Sequence, residues 1–309
     1  MPNYILPSPP DERDYPVARI APDERTPPSV RLDHRIQKVL NQGFCGTCAG
    51  KTGNAILSAD HKTDLSSLFL YSRAKELDGI PHIEGTYPRV LLKVMHQEGS
   101  CPEHMLPYED LKVCLQPPQI TPEQALAATP YKIDSYARCR NLTDIKRAIA
   151  NGELVFGAIL VADNFIRYRE GIIEPPTGQE HGYHAVVFCG YDDTVGAVRG
   201  VNSWGTRWGE DGYFWLSYDY FDNVAHFIEA WAVKTIGQGQ TKEELPMEPS
   251  KWKSRKFWLA VVAAVFVVLN EGLGLGLPEE TITAFVILIL GWLGVEGTAD
   301  VVSRYKDKH

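Results

Sequence analysis

The chain has 309 residues, of which 44% are hydrophobic and 23% are charged, and these are ordinary values for a soluble globular protein. A chain of this length forms one large domain or two small ones and buries a sizeable core. The net charge of −8, with no basic face in the sequence, argues against nucleic acid as an obligatory partner.

The cysteine content and the N-terminus indicate a reducing environment. Six cysteines are too few and too widely spaced for a disulfide scaffold. Residues 1–16 contain no charged segment followed by an apolar one, so no secretory signal peptide is predicted. The default expectation is therefore a cytoplasmic protein with reduced thiols at Cys45, Cys48, Cys101, Cys114, Cys139 and Cys189.

The order of the predicted elements indicates two unlike halves. Residues 1–26 are rich in proline and charge and show no helical or strand period. Helical patterns come next and short apolar runs follow them: 46–62, 66–77 and 87–99, then 154–162, 184–191 and 212–218. Helices followed by strands within one chain predict an α+β fold.

The C-terminal part of the chain has a different composition. Residues 237–256 are polar and end in a basic cluster, which is typical of a linker. Residues 257–302 hold two apolar segments around a short acidic turn, and each approaches the roughly 20 residues that a membrane-spanning helix needs. They predict a hydrophobic helical hairpin, which is followed by the basic tail 303–309.

The charges around this hairpin predict its orientation. Basic residues flank it at both ends, so the positive-inside rule assigns both ends, and the N-terminal domain, to the cytoplasmic side of a membrane. The hairpin resembles small two-helix membrane proteins of the bacteriophage holin kind. The alternative is an oligomerisation hairpin buried against other copies of the chain, so the predicted partners are a membrane or a homo-oligomer.

Two cysteines three residues apart, Cys45 and Cys48, raise three alternatives. A zinc site needs four ligands, and no second C-x-x-C pair or spaced histidine pair occurs in the sequence. A thioredoxin-like redox pair follows a strand, and no strand pattern precedes Cys45. The third alternative is a thiol nucleophile, which needs a base, a group that orients the base, and donors for an oxyanion.

Later parts of the chain supply these groups. His184 begins an apolar strand pattern, and Asn202 follows in the stretch 202–205, Asn-Ser-Trp-Gly. Gln42 lies six residues before Cys48. With these motifs, the sequence between residues 27 and 236 resembles the papain family of cysteine peptidases, whose histidine and asparagine follow the cysteine by about 130–150 residues.

This resemblance implies a papain-like two-lobe fold, helical and then barrel-like, with the active site in the cleft between the lobes. It implies that Cys48 is the nucleophile, activated at a helix N-terminus, and that His184 is the base and later the acid. Asn202 holds the imidazole tautomer, and Gln42 with the Cys48 N–H forms the oxyanion hole. No metal or organic cofactor is implied.

The same resemblance implies how a peptide binds. The backbone of residues 84–86 pairs with an extended substrate by strand addition, and an indole shields the histidine–asparagine hydrogen bond. The residues expected to line the cleft are Gly46, Glu84, Gly85, Thr86, Tyr183 and Trp204.

The chain departs from the best-known members at several positions. Ala49 replaces a tryptophan after the nucleophile, and Tyr183 replaces an aspartate before the base. Residues 1–26 are short and lack a helical pattern, so we expect no zymogen, or control by location, with this segment packed along the lobes. Cys45 is expected to be non-catalytic, free or paired, and Cys101–Cys114 is the only disulfide considered.

The sequence therefore predicts a cysteine endopeptidase that is tethered to a membrane by its C-terminal hairpin. Two alternatives remain open at this point. One is a phage-type lysis protein that cuts cell-wall peptides, and the other is a non-catalytic assembly or anchoring protein. Cleavage within the exposed linker 237–256 by the enzyme itself is a further hypothesis.

Overall fold

The computed structural model describes residues 5–11, 14–22, 26–108 and 114–235. The three predicted helices are present in the first half, as α1 (Cys48–His61), α2 (Ser67–Leu77) and α3 (Pro88–Gln97). Three shorter helices follow, namely α4 (Pro122–Ala128), α5 (Leu142–Ala150) and α6 (Asp163–Ile166).

Local sequence signals explain where these helices begin. The Ser66 side chain accepts a hydrogen bond from the Phe69 N–H and caps α2. Pro88 occupies the first turn of α3, where its missing N–H costs nothing. Thr121 and Gln124 form a reciprocal capping box at the start of α4.

The helices α1 and α2 approach each other closely at Gly50. A β-carbon at this position would lie 2.6 Å from the Ser67 carbonyl oxygen and 3.1 Å from the Tyr71 β-carbon. Only glycine fits such a contact without displacing backbone. The close approach holds the N-terminal turn of α1 against the start of α2.

The second half is built on one sheet. Its strands within the described residues are β1 (Ser29–Arg31), β2 (Ile133–Cys139), β3 (Leu154–Ala162), β4 (Ile172–Ile173), β5 (Glu180–Asp192), β6 (Ala197–Val201), β7 (Tyr213–Ser217) and β8 (Phe227–Thr235). The order is β2-β8-β3-β5-β6-β7-β4, with β1 on β5, and all pairs are antiparallel except β4 with β7.

The middle of the sheet forms the core. Every residue of β3 is buried between β5 and β8, which explains its unbroken apolar sequence. Helix α1 contacts β5, and α5 contacts β3 and β8. The helical half therefore meets the sheet half at α1 and β5, the two elements that carry Cys48 and His184.

The structure contains a disulfide other than the one that the sequence analysis considered. Cys45 and Cys114 are bonded to each other, with their α-carbons 5.3 Å apart. Cys101 is a reduced thiol that packs with Phe69 and Ala128 in a small apolar cluster. The structure thus corrects the default of reduced thiols at Cys45 and Cys114, and it pairs Cys114 with Cys45 instead of with Cys101, the one partner considered. Spacing along the chain does not report which thiols the helices bring together.

The N-terminal residues lie against both halves of the domain. Asp14 forms an ion pair with Arg89 of α3. The Tyr15 carbonyl accepts the Arg138 N–H of β2 at 2.8 Å, and Pro16 forms a bridge with Arg138. This proline-rich segment is thus integrated into the domain rather than projecting from it.

The linker, hairpin and basic tail lie outside the described residues, so the predictions made for 237–256, 257–302 and 303–309 stay predictions. In the part of the chain that the structure describes, no helix has the length and apolar character needed to cross a bilayer.

Candidate active site

Cys48 is the first residue of α1, and its side chain is fully buried and outside any disulfide. A thiol at the N-terminus of a helix lies in the positive field of the helix dipole, which favours the thiolate. The preceding residue, Thr47, shares a hydrogen bond of 2.8 Å between its hydroxyl and that of Tyr108.

The imidazole of His184 projects from β5 and is completely buried. Its Nε2 lies 2.7 Å from the Asn202 Oδ1, and this oxygen also accepts the Ser203 N–H at 2.7 Å. Because Oδ1 is an acceptor, Nε2 carries the proton and Nδ1 is left with its lone pair. Nδ1 is buried without a hydrogen-bond partner among the described residues.

The environment of His184 favours the neutral ring. Burial lowers the pKa of His184 to about 4, and the hydrogen bond to Asn202 opposes this shift. A neutral imidazole with an unprotonated Nδ1 is the form that removes a proton from a thiol. The site therefore holds a base in the required state near neutral pH.

Aromatic rings cover this hydrogen bond. The Trp204 ring lies 4.9 Å from the His184 ring, centroid to centroid, at an interplanar angle of 30°. Phe165 meets the Trp204 ring edge-on at 5.5 Å. These rings pack beside the buried histidine–asparagine contact, and the shielding role expected of Trp204 stays a prediction.

The Gln42 side chain is fixed by the loop that carries Asn202. The Gln42 N–H donates to the Ser203 carbonyl at 2.9 Å, and the Ser203 hydroxyl donates to the Gln42 Oε1 at 2.8 Å. Its Nε2 donates to the Cys45 carbonyl at 3.0 Å. A side-chain amide nitrogen has two hydrogens, so Gln42 keeps a second donor for an oxyanion.

Two residues that the sequence reasoning missed connect these parts. Ser203 orients the Gln42 amide, and it stands inside the quoted Asn-Ser-Trp-Gly motif, which was a usable signal. The Tyr108 hydroxyl donates to the Gln42 carbonyl at 2.5 Å and also contacts Thr47, so it ties the glutamine loop to the start of α1. No local pattern distinguishes Tyr108.

The residues predicted to bind a peptide, 84–86, have different hydrogen-bond partners in the structure. Glu84 accepts the Gly46 N–H at 2.5 Å, so both residues are joined to each other. The Gly85 N–H donates to the Tyr71 hydroxyl at 3.3 Å, and its carbonyl accepts the Lys75 ammonium at 3.0 Å. Both backbone polar groups of Gly85 are therefore hydrogen-bonded inside the domain.

Thr86 does pair with an extended chain, and this chain is the protein's own N-terminal segment. We call residues 5–9 the strap. The Leu6 N–H donates to the Thr86 carbonyl at 3.1 Å, and the Ile5 N–H donates to the Tyr183 carbonyl at 3.2 Å. Ile5 and Thr86 form a parallel bridge. Two groups expected to bind substrate thus hold the strap.

The strap is anchored further along by a buried carboxylate. The Ser8 hydroxyl donates to the Glu229 Oε1 at 2.7 Å, and Glu229 is only 1% exposed. Arg138 forms an ion pair with the same carboxylate at 2.9 Å. Burial raises the pKa of Glu229, and the contacts with Ser8 and Arg138 oppose this shift.

One group of potential metal ligands occurs among the described residues. Side-chain atoms of Cys45, Glu84 and Cys114 lie within 4.8 Å of one another. The two sulfur atoms are bonded to each other, so neither is available as the thiolate that zinc binds. The residues present do not fit a metal site in this state.

Comparison with known proteins identifies the family. The model of the family described as papain family cysteine protease matches residues 26–236, which is more than half of the chain. The chain belongs to the papain family of cysteine proteases. Its match to the family covers the whole region in which the site residues lie.

The relatives include viral and plant members of the family. An uncharacterised peptidase C1-like protein of Acanthamoeba polyphaga mimivirus is 30% identical over 223 residues, which are 64% of this chain and 70% of that protein. Papain of Carica papaya is 28% identical over 58% of this chain. The match spans only half of papain's own length, at 50%.

Solved structures agree with the fold. Xylellain, a cysteine protease from Xylella fastidiosa, superimposes with a TM-score of 0.66 at 27% identity, over 76% of this chain and 96% of that chain. The bromelain protease from Ananas comosus, at 22% identity and a TM-score of 0.54, shares the fold. These relatives and neighbours support a cysteine-type peptidase with a papain-like α+β fold.

Proposed function

We propose that this chain hydrolyses peptide bonds through Cys48, His184 and Asn202. The observation that carries the proposal is the 2.7 Å contact from His184 Nε2 to Asn202 Oδ1, which leaves Nδ1 as the base of a buried imidazole. The family membership of residues 26–236 supports a peptide or protein as the substrate.

The reaction proceeds in two halves. The Cys48 thiol transfers its proton to His184 Nδ1, and the sulfur attacks the peptide carbonyl carbon. Collapse of the tetrahedral intermediate breaks the C–N bond, the imidazolium gives its proton to the leaving amine, and a thioester remains. Water then gives a proton to His184, attacks the thioester and releases the acid together with the restored thiol.

The oxyanion of each tetrahedral intermediate needs fixed donors. Gln42 supplies its second Nε2 hydrogen, and its amide orientation is held by Ser203 and by the Cys45 carbonyl. The N–H of Cys48, the first residue of α1, is the second donor that the resemblance to the family implies. Removing one such donor typically lowers kcat by about 10²–10³-fold.

The first test is intact-mass analysis of the full chain after treatment with an epoxysuccinyl inhibitor of cysteine peptidases. We expect one adduct in the native protein and in Cys101→Ala, and none in Cys48→Ala. Cys101 is a matched control because it is also a buried thiol, and burial raises its pKa to about 11. An adduct that survives in Cys48→Ala would contradict the assignment of the nucleophile.

We also propose that residues 257–302 tether the enzyme to a membrane, with the peptidase domain on the cytoplasmic side. The apolar composition of this stretch and the basic residues that flank it support the proposal, whereas the Cys45–Cys114 bond, a link typical of oxidising compartments, opposes the cytoplasmic side. Added protease should degrade the peptidase domain in lysed cells but not in intact ones, and the domain should sediment with membranes. Recovery of the full chain in the soluble fraction would contradict tethering.

A further inference from the structure

A buried lysine, Lys75, donates hydrogen bonds to several backbone carbonyls of the loop before Thr86. Lys75 lies on α2 with its side chain 4% exposed. Its ammonium contacts the Asp78 carboxylate at 2.9 Å and three carbonyl oxygens, those of Ile80 at 3.0 Å, Ile83 at 2.7 Å and Gly85 at 3.0 Å.

These contacts define the path of the loop. Residues 78–85 contain no helix or strand, so no ladder of backbone hydrogen bonds holds their shape. Three carbonyl dipoles directed at one point repel one another unless a cation lies between them. The ammonium of Lys75 supplies that charge, and the buried Asp78 balances it. A neutral side chain would leave buried carbonyls unpaired.

The last of these carbonyls belongs to the residue before Thr86. Gly85 has a left-handed backbone, with φ of 92°, and its N–H is held by Tyr71. With both polar groups of Gly85 bonded within the domain, the direction of the next peptide group is determined. The Thr86 carbonyl then faces the extended chain, as its bond to Leu6 shows.

We propose that Lys75 is a positioning residue for substrate binding. Its ammonium holds the 80–85 loop so that the Thr86 edge accepts the backbone of an extended peptide. The inference rests on the proposed function, because it takes Thr86 as the edge that pairs with substrate. Lys75 acts through this loop and does not itself touch the reacting atoms.

The test is Lys75→Met, which removes the charge and keeps an unbranched side chain of nearly the same length. It is made in full chains that also carry Leu6→Pro, because the native strap competes for the Thr86 carbonyl. Two substrates are compared: a peptide with three residues before the scissile bond, and an acetylated single-residue ester that does not reach Thr86. Arg73→Met is the control, since it removes a cation of the same helix that pairs with Glu98.

We expect Lys75→Met to raise KM for the long peptide about tenfold, with kcat within twofold of the parent. KM for the ester, and the rate of Cys48 alkylation by iodoacetamide, should change less than twofold. Arg73→Met should leave all of these values unchanged. Equal losses for both substrates, or no change in KM for either, would overturn the inference.

A second variant covers the case in which Lys75→Met does not fold. Tyr71→Phe removes the hydroxyl that accepts the Gly85 N–H, so it loosens the same edge while keeping the ring. It should raise KM for the long peptide about threefold and spare the ester, and an equal effect on both would overturn the inference. Failure of the parent chain to react at Cys48 would instead contradict the proposed function.

Discussion

At the scale of single residues, the tautomer of His184 is defined by the atoms around its imidazole. The Asn202 Oδ1 accepts from both His184 Nε2 and the Ser203 N–H, so the amide cannot turn its nitrogen toward the ring without losing both bonds. The tautomer of His184 follows from this orientation. Burial under Trp204 then disfavours the charged form of the ring.

The low pKa of His184 predicts a stability that depends on pH. The unfolded ring binds a proton below about pH 6.5, whereas the folded ring does so only near pH 4. The contribution of the neutral ring to stability is therefore fully present above pH 6.5 and decreases as the pH falls toward 4. A Cys48→Ala background removes the thiol that would share the proton. In this variant we expect protonation of the imidazole to lower the free energy of unfolding by about 3 kcal/mol between pH 7 and pH 4.

The measurement is urea unfolding at both pH values, with Cys48→Ala/His184→Gln as the control. Glutamine keeps a donor for Asn202 but does not titrate. The control should lose about 3 kcal/mol less than its parent over this interval. Equal losses in the two proteins would show that His184 is not buried as a neutral ring.

At the scale of elements, the strap occupies backbone atoms that the resemblance to the family assigns to substrate. Ile5 and Leu6 donate to Tyr183 and Thr86, and Ser8 donates to Glu229. The sequence analysis expected no zymogen, or control by location, with residues 1–26 packed along the lobes; the contacts of the strap agree with this packing and motivate a test of the first expectation. A peptide can pair with the Thr86 edge only when the strap has left it.

Leu6→Pro is expected to raise kcat/KM for peptides about fivefold in the full chain. Proline has no N–H, so the bond to the Thr86 carbonyl is lost, and one such bond is worth about 1 kcal/mol. Leu6→Ala is the matched control, because it keeps the N–H and should change kcat/KM less. A synthetic peptide of residues 3–10 should inhibit Leu6→Pro competitively.

Unchanged kinetics in the Leu6 variants would contradict a role of the strap in controlling access to the cleft. If Leu6→Pro and Leu6→Ala have the same kcat/KM as the native chain, and the synthetic peptide does not inhibit, the strap does not limit access to the cleft. Its contacts with Arg89 and Glu229 would then serve the stability of the domain alone.

At the scale of the whole molecule, the site exists only where the two halves meet. Cys48 is carried by α1, His184 by β5, and Asn202 by the loop after β6. The segment containing Gln42 pairs with the 203–205 loop, through an antiparallel bridge between Asn41 and Trp204. The proposed oxyanion donor, Gln42, and the proposed base, His184, are therefore aligned by long-range pairing of two loops.

The disulfide also acts on the whole fold, because Cys45 and Cys114 are separated by 69 residues that include α1, α2 and α3. Closing a loop of this length lowers the entropy of the unfolded chain and so raises its free energy by about 4 kcal/mol in the chain-entropy account. Cys114→Ser should therefore lower the unfolding free energy by about 2–4 kcal/mol in non-reducing buffer.

Guanidinium unfolding with and without dithiothreitol measures this effect. Reduction should destabilise the native protein but leave Cys114→Ser unchanged. Cys101→Ser serves as the control, because it removes a thiol that forms no disulfide. A native protein that is equally stable in both buffers would contradict a stabilising role for the bridge.

The sequence by itself determined the elements with strong local patterns and the residues inside motifs. The helices α1 to α3 and the strands β3, β5 and β7 have continuous or periodic apolar residues, and the chain forms them where predicted. The strand β6 was missed because its five residues include a buried arginine, Arg199, whose charge is paired with Glu210 at 2.6 Å. A paired charge in a core strand hides the apolar period.

Only the tertiary structure decided which distant groups meet. The Cys45–Cys114 bond, the tie of Tyr108 to Gln42, the carbonyls around Lys75 and the strap on Thr86 join residues that no short pattern relates. Periodicity and motif spacing report the burial and backbone conformation of neighbours in sequence. Contacts across the fold depend on the packing of helices against the sheet, which local patterns do not encode.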